Sequence, residues 1–397
     1  MQKITERDNN MHQALEIYVH IPFCRSKCRY CDFVSWPERD GNRVAQYFEA
    51  LKREIAAFNG GLQPIRSVYF GGGTPSAVAP AYLAETIAAL EKKFGFDFPT
   101  AAFEKTIEVN PKTVDKNQLQ YYRKLGFNRL SVGVQSFNDR LLQIVGRPYY
   151  AADALQTLED AAAAGFDNIS VDLIFGLPGQ TLADVDATID RLSHFPPVTH
   201  VSCYSLIVEP GTVFEKWQRE GRLSLPSEKI ERAMYHRICE RLGENGFAQY
   251  EISNFARPGC FSRHNSGYWD LTPYAGFGLG AASLLLEKRT TDADGAFRRW
   301  TTTPDFEAYL KNPVTRTENH PLSKREAEGD FMFLGLRKTC GVDDRDFQNT
   351  FGESFETRYA DEIPSLIREG LIQRADTRIK LTVRGLDLAN QVFMAFV

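Results

Sequence analysis

No run in this 397-residue sequence approaches eighteen apolar residues, so no segment reads as a membrane-spanning helix. Charge of one sign is equally lacking: 47 Lys and Arg balance 51 Asp and Glu, and the formal net charge is only -4. That gives no electrostatic footprint for nucleic acid or an anionic membrane, and small molecules or proteins are the expected partners. The opening MQKITERDNNMHQA has no apolar centre of the kind a secretory signal needs, so the expected compartment is the cytoplasm. Low-complexity tracts are absent, and 43% hydrophobic with 25% charged residues describes an ordinary globular chain of two or three domains. Cysteines are few and odd in number, seven, and a reducing compartment keeps them as thiols. Three of them crowd one loop, which favours metal or redox chemistry there.

What is present is a repeated alternation of short β-branched or aromatic runs with longer helical patterns. Strands are expected at "EIYVHI" from Glu16, "SVYF" from Ser67, "KTIEV" from Lys105, "RLSVGV" from Arg129, "NISVDLIF" from Asn168 and "HVSCYSLI" from His200. Helical patterns lie between them, at 44–58, 81–94, 117–125, 151–164 and 182–192, with another at 227–243. Six such units predict an α/β fold with a parallel sheet, a partial (β/α)6 TIM-like barrel rather than a closed one of eight. The expected organisation is a polar N-terminal tail over 1–15, the partial barrel over 16–245, a connecting region over 246–320, and a mostly helical, winged-helix-like domain over 321–397. The last rests on "LIREGLIQRADTRIKLTVRGLDLANQVF", which reads as helix, two-stranded wing, helix; without a basic surface it suits packing or a protein partner better than DNA.

In βα architectures the chemistry gathers in the loops after the strands. After the first strand come Cys24, Cys28 and Cys31; after the second, "GGGTP" from Gly71; after the third, "EVNP" from Glu108. The fourth supplies Gln135 in "GVQS", and the fifth carries Asp172 in "VDLIFGLPGQ". The C-x3-C-x2-C spacing lacks the second arm of a zinc finger, whereas closely spaced thiolates suit an iron–sulfur cluster with one iron left open. Glycines permit close backbone approach to a ligand, Glu108 and Asp172 can accept from hydroxyl or amino groups, and Arg147 can pair a carboxylate bidentately.

Together the run "YVHIPFCRSKCRYCDF", "GGGTP", "EVNP", "GVQS" and "DLIFGLPGQ" resembles the radical S-adenosylmethionine family of oxygen-independent coproporphyrinogen III oxidases and their relatives. The resemblance implies a 4Fe-4S cluster held by Cys24, Cys28 and Cys31, with S-adenosylmethionine chelating the open iron. It further implies adenosylmethionine contacts at Tyr18, Tyr30, Gly72, Gly73, Thr74, Glu108, Gln135, Arg147 and Asp172.

Two departures select a branch. The oxidases carry a further cysteine two residues past the last ligand, where Phe33 stands here, and they have a longer segment before the cysteines. Both features match instead the haem-chaperone branch, to whose H-N-x-x-Y-W motif "HNSGYW", His264 to Trp269, is similar. That branch implies haem as a cofactor with His264 as a ligand outside the barrel, transfer to soluble or membrane-associated recipient haemoproteins, an electron donor for the cluster, and compatibility with a homodimer. The missing fourth cysteine argues against coproporphyrinogen oxidase activity, and the alternatives are that oxidase, acting by radical decarboxylation of propionates, and a haem-responsive regulator acting through the winged-helix tail, against which the tail's charge argues. Tyr149 replaces the histidine of the family's L-G-R-x-H, and Cys203, Cys239 and Cys340 read as small buried hydrophobes, His20 as a satisfied core histidine, and Cys260 as a minor haem-ligand candidate.

Overall fold

The computed structural model describes residues 14–61, 63–287 and 294–397; the first thirteen residues of the expected N-terminal tail lie outside the described residues. Strands form where the alternation of apolar and polar residues predicts them: β1 Leu15–Ile21, β2 Ile65–Gly72, β3 Glu104–Val109, β4 Arg129–Gln135, β5 Ile169–Phe175 and β6 Val198–Ser205. Each pairs in parallel with the next, so spatial order equals sequence order. The intervening helices α1 Gly41–Ala57, α2 Pro80–Phe94, α3 Lys116–Leu125, α4 Ala151–Ala163 and α5 Leu182–Ser193 cover the outer face, as crossover connections require. Their ends are set locally: Asp115 and Gln118 form a capping box at α3, and Gly95 and Gly126 take the left-handed conformation that stops α2 and α3.

The two faces of the sheet differ in chemistry. Ile17, Val19, Val68, Phe70, Ile107, Leu130, Val132, Val171 and Val201 are buried in the main core with the helices' apolar faces, each contributing about 1.5–3 kcal/mol through burial. The alternate residues, Glu16, His20, Ser67, Glu104, Thr106, Arg129, Ser131, Ser170, His200 and Ser202, are also buried but polar. Period-two alternation thus gives the barrel an apolar outside and a polar interior. Such an interior must satisfy its polar groups internally or through a ligand.

The region expected as a connector is instead part of the sheet. A helix α6 (Glu228–Glu244) leads into β7 (Ala248–Gln249) and β8 (Asn254–Ala256), which extend β6 antiparallel. After helix α7 (Arg263–Trp269), β9 (Tyr274–Phe277) pairs in parallel with the other edge of β1, Glu16 opposite Tyr274 and Val19 opposite Phe277. Antiparallel β10 (Ala282–Leu286), β11 (Asp294–Thr302) and β12 (Arg316–Ser323) continue the sheet, whose ends β12 and β7 do not meet among the described residues. The barrel is therefore a partial one, as expected. The C-terminal part has its own apolar core, including Leu322, Met332, Phe347, Phe355, Ile363 and Phe393. Its antiparallel sheet of β13 (Val342–Asp343), β14 (Ile372–Ala375) and β15 (Arg378–Leu381), with helices Asp344–Phe351 and Glu362–Arg368, has the helix and wing arrangement read from the sequence.

Candidate functional site

The three thiols of Cys24, Cys28 and Cys31 stand on the loop after β1, half-buried and unpaired with one another. The "GGGTP" turn after β2 lies directly against this loop. Gly73 donates its N–H to Ile21 O at 2.8 Å and Thr74 to Phe23 O at 2.8 Å. A Cβ on Gly73 would stand 3.0 Å from the Cys24 sulfur, and Gly72 has a φ of +109° with a virtual Cβ 2.6 Å from the His20 ring. Glycine is therefore demanded at both positions by proximity to the thiol loop and the barrel wall. Thr74 Oγ1 points at Cys24 Sγ at 3.6 Å, and burial raises the thiols of Cys24 and Cys31, opposed at Cys31 by the Lys27 ammonium.

A chain of polar contacts connects this loop to the rest of the rim. Asn110 donates from Nδ2 to Thr74 Oγ1 at 2.8 Å; Arg147 donates to Asn110 Oδ1 at 3.1 Å and to the Tyr30 hydroxyl at 2.8 Å. Glu108 accepts from the Tyr69 hydroxyl at 2.8 Å and the Gly72 N–H at 3.2 Å, and burial pushes its pKa up to about 8. Burial likewise raises Asp172, against the hydroxyls of Ser131, Ser202 and Ser170 that face it; Ser131 Oγ stands 2.8 Å away. Gln135 closes β4 with a φ of +64° beside a register shift at Gly133, a left-handed backbone that is costly for a side-chain-bearing residue and turns the strand end at the cavity.

These groups line one cavity of about 400 Å³. Eleven of the thirteen residues singled out from the sequence are on its wall, the exceptions being Tyr18 and His264. Tyr18 hydrogen-bonds to His20 Nδ1 at 3.0 Å, while His20 Nε2 meets Val34 O at 2.8 Å, so His20 is the satisfied core histidine expected. Sequence reasoning missed Tyr69, Asn110, Arg129 and Asn265, which also line the cavity. Asn110 stands beside Glu108 in "EVNP", and the polar alternation of β2 and β4 marks Tyr69 and Arg129 as facing inward.

His264 needs correction. It lies inside the base of the barrel, not outside it, and is 2% exposed. Its Nδ1 is 2.8 Å from Ser67 Oγ and its Nε2 is 3.0 Å from the Tyr268 hydroxyl, with Tyr69 stacked on the ring at 5.0 Å. Glu104 fixes the start of α7 by accepting from the N–H groups of Arg263 at 3.0 Å and His264 at 3.1 Å. Neither ring nitrogen is open to a haem iron in this arrangement. Tyr149, standing for a histidine, is buried and donates to Gly133 O; Cys203 is buried as expected, Cys239 half-buried, and Cys340 exposed, contrary to expectation. Cys260 is half-buried and does not line the cavity.

Three thiols on one cavity wall are soft donors of the kind an iron–sulfur cluster takes. Among the described residues no three His, Cys, Asp or Glu side chains are close enough to hold one metal ion, the three thiols included. Cys24, Cys28 and Cys31 nonetheless share one cavity wall. No described helix is long and apolar enough to cross a membrane.

Comparison with known proteins defines the class. Residues 18–192 match the family model of the radical SAM superfamily, and residues 322–388 that of the HemN C-terminal domain. The structure of coproporphyrinogen III oxidase from Escherichia coli superposes with a TM-score of 0.79 over 97% of this chain and 90% of that one, at 23% identity, a likeness of fold. The heme chaperone HemW of Lactococcus lactis is 37% identical over 96% of both chains, and that of Bacillus subtilis 35% identical over 96% of this chain and 98% of its own. The chain belongs to the HemW family of radical SAM proteins.

Proposed function

We propose that this chain is a haem chaperone, which binds haem and passes it to recipient haemoproteins. The observation that carries this reading is end-to-end similarity to proteins named heme chaperone HemW, 37% and 35% identical over nearly whole chains. At the thiol loop, Phe33 is 61% exposed and lines the cavity where the oxidases place another cysteine. Ile207, 65% exposed, lines the same rim. Two exposed apolar side chains at a cavity mouth suit a flat porphyrin face, and this rim takes over the haem-binding role first assigned to His264.

In this reading Cys24, Cys28 and Cys31 hold the 4Fe-4S cluster, whose open iron and adenosylmethionine would supply one-electron chemistry. The residues around it keep the ligand in place: Gly72 and Gly73 let backbone approach it, Glu108 and Asp172 receive its hydroxyl or amino hydrogens, and Gln135 offers an amide. Arg147 holds Tyr30 and Asn110 and so fixes the wall between the thiols and the carboxylates. Haem, a recipient haemoprotein, which can be membrane-associated, and an electron donor are the partners of this reading; self-association is compatible with it, and the cytoplasm is its compartment. Mixing haem-loaded protein with an apo-haemoprotein such as apomyoglobin tests it: haem moves to the acceptor if the chain is a chaperone, and a chain that takes up no haem refutes the reading.

A further inference from the structure

The base of the barrel holds a cation without a counterpart. Arg129 opens β4, is 2% exposed, and lines the cavity. Its Nε is buried with no hydrogen-bond partner, and among the described residues no carboxylate stands within 4.0 Å of its guanidinium. Other cations inside the fold have acceptors at their ends: Lys105 the carbonyls of Phe98 at 2.8 Å and Ala101 at 2.6 Å, and Arg147 the side chains of Asn110 and Tyr30 at its terminal nitrogens, its Nε alone being unpartnered, whereas no hydrogen-bond acceptor among the described residues meets any nitrogen of the Arg129 guanidinium. A buried guanidinium that faces only a cavity is expensive unless an anion or other acceptor fills the space.

A second free group faces the same space. Asn265 lines the cavity, and among the described residues its carboxamide has no partner; only its backbone N–H is engaged, by Ser262 Oγ at 3.2 Å. The seat of His264 between Ser67 and Tyr268 holds α7 so that the next residue, Asn265, turns to the cavity. Arg129 pairs across the sheet with Thr106, two residues from the Glu104 that receives the N–H groups of Arg263 and His264, which brings Arg129 and the start of α7 to the same end of the barrel.

We propose that Arg129 and Asn265 form a carboxylate-binding floor in the lower barrel, beneath the loops that carry the thiols and adenosylmethionine contacts. A guanidinium supplies paired N–H donors matched to a carboxylate, and a carboxamide adds another N–H. The nearby acids do not already fill this role. Glu108 and Asp172 act on Arg129 only through space, are raised by burial toward their neutral forms, and are engaged with Tyr69, Gly72 and serine hydroxyls. The buried imidazoles of His200 and His264, which do not line the cavity, are held neutral by burial and add no competing positive charge. The ligand class is thus a molecule bearing a carboxylate, either a free small acid or a propionate arm of a porphyrin, and the floor does not depend on haem being the cargo.

The test uses cluster-loaded protein and 3,3,3-trifluoropropionate, followed by fluorine NMR line broadening. Wild type should broaden the signal; Arg129→Gln and Asn265→Asp should each weaken binding about tenfold or more. Circular dichroism and iron content check that each variant folds, and Asn265→Asp, on the cavity side of α7, decides alone if Arg129→Gln does not. Displacement by mesoporphyrin IX but not its dimethyl ester assigns the floor to a propionate arm, and lack of displacement assigns it to a free acid, both within the proposal. Three results overturn it: no broadening by wild type, equal broadening by folded variants, or displacement of the probe by adenosylmethionine, which would return Arg129 to that ligand's own site.

Discussion

Nδ1 of His264 lies 2.8 Å from the hydroxyl of Ser67, so a residue of the "HNSGYW" motif is bolted to the second strand of the barrel. With Nε2 taken by Tyr268 at 3.0 Å, the imidazole is a structural bridge between α7 and the sheet. Replacing His264 by Ala leaves the Ser67 and Tyr268 hydroxyls without their partner, a cost of about 1–3 kcal/mol. Denaturant unfolding should show that loss, while haem affinity of the folded fraction stays within about twofold, a change of about 0.4 kcal/mol. A variant of full stability that no longer binds haem would instead restore the ligand role.

The same burial sets a pH dependence. His264 is held down to about 3 and His20 to about 4, chiefly by burial, from an ordinary 6.5. Between those values and 6.5 the unfolded chain binds protons that the folded chain does not, so stability is full above 6.5 and falls as pH drops. At pH 5 the His264 share is about 2 kcal/mol by that linkage. His264→Gln does not titrate, so its stability deficit relative to wild type should shrink by that amount between pH 7 and pH 5, as measured by urea unfolding. A deficit constant with pH would show that the ring is not held neutral.

Iron content separates the thiols. Cys24→Ala, Cys28→Ala and Cys31→Ala should each abolish a reconstituted cluster of about four irons and its broad visible absorption. Cys203→Ala and Cys340→Ala, whose residues lie away from the cavity, should retain it. Iron retained after replacement of all three loop cysteines would remove the cluster from this site.

Glu108 and Asp172 should be read by ligand binding, not by iron. Their hydrogen-bond partners are in place without the ligand, at 2.8 Å from Tyr69 and 2.8 Å from Ser131, so conservative replacement leaves the walls intact. Glu108→Gln and Asp172→Asn should each weaken adenosylmethionine binding by about 1–3 kcal/mol, measured by equilibrium dialysis, with iron content near wild type. Unchanged affinity in both would make these acids structural.

The partial barrel was legible because its strands and helices are local: each expected run, from "EIYVHI" to "HVSCYSLI", overlaps an observed strand. The thiol loop, glycine turn and two acids were legible because they follow those strands directly. What escaped was long-range. Whether "YAGF" at Tyr274–Phe277 pairs with β1 depends on contacts between segments some 258 positions apart, as Glu16 opposite Tyr274 shows. Likewise nothing near "HNSGYW" announces that Ser67 and Glu104 will receive it. The polar interior, by contrast, is written in the alternation of Glu16, Tyr18 and His20 with Ile17, Val19 and Ile21 in β1, a pattern that points away from a uniformly apolar barrel.

The most direct test of the chaperone reading is a paired assay on anaerobically reconstituted protein with adenosylmethionine and a reductant: coproporphyrinogen III turnover on one side, haem titration on the other. The account predicts no protoporphyrinogen and a saturable Soret band at about one haem per chain. Turnover at enzyme-like rates of about 1 per second or more, or failure to bind haem, would contradict it.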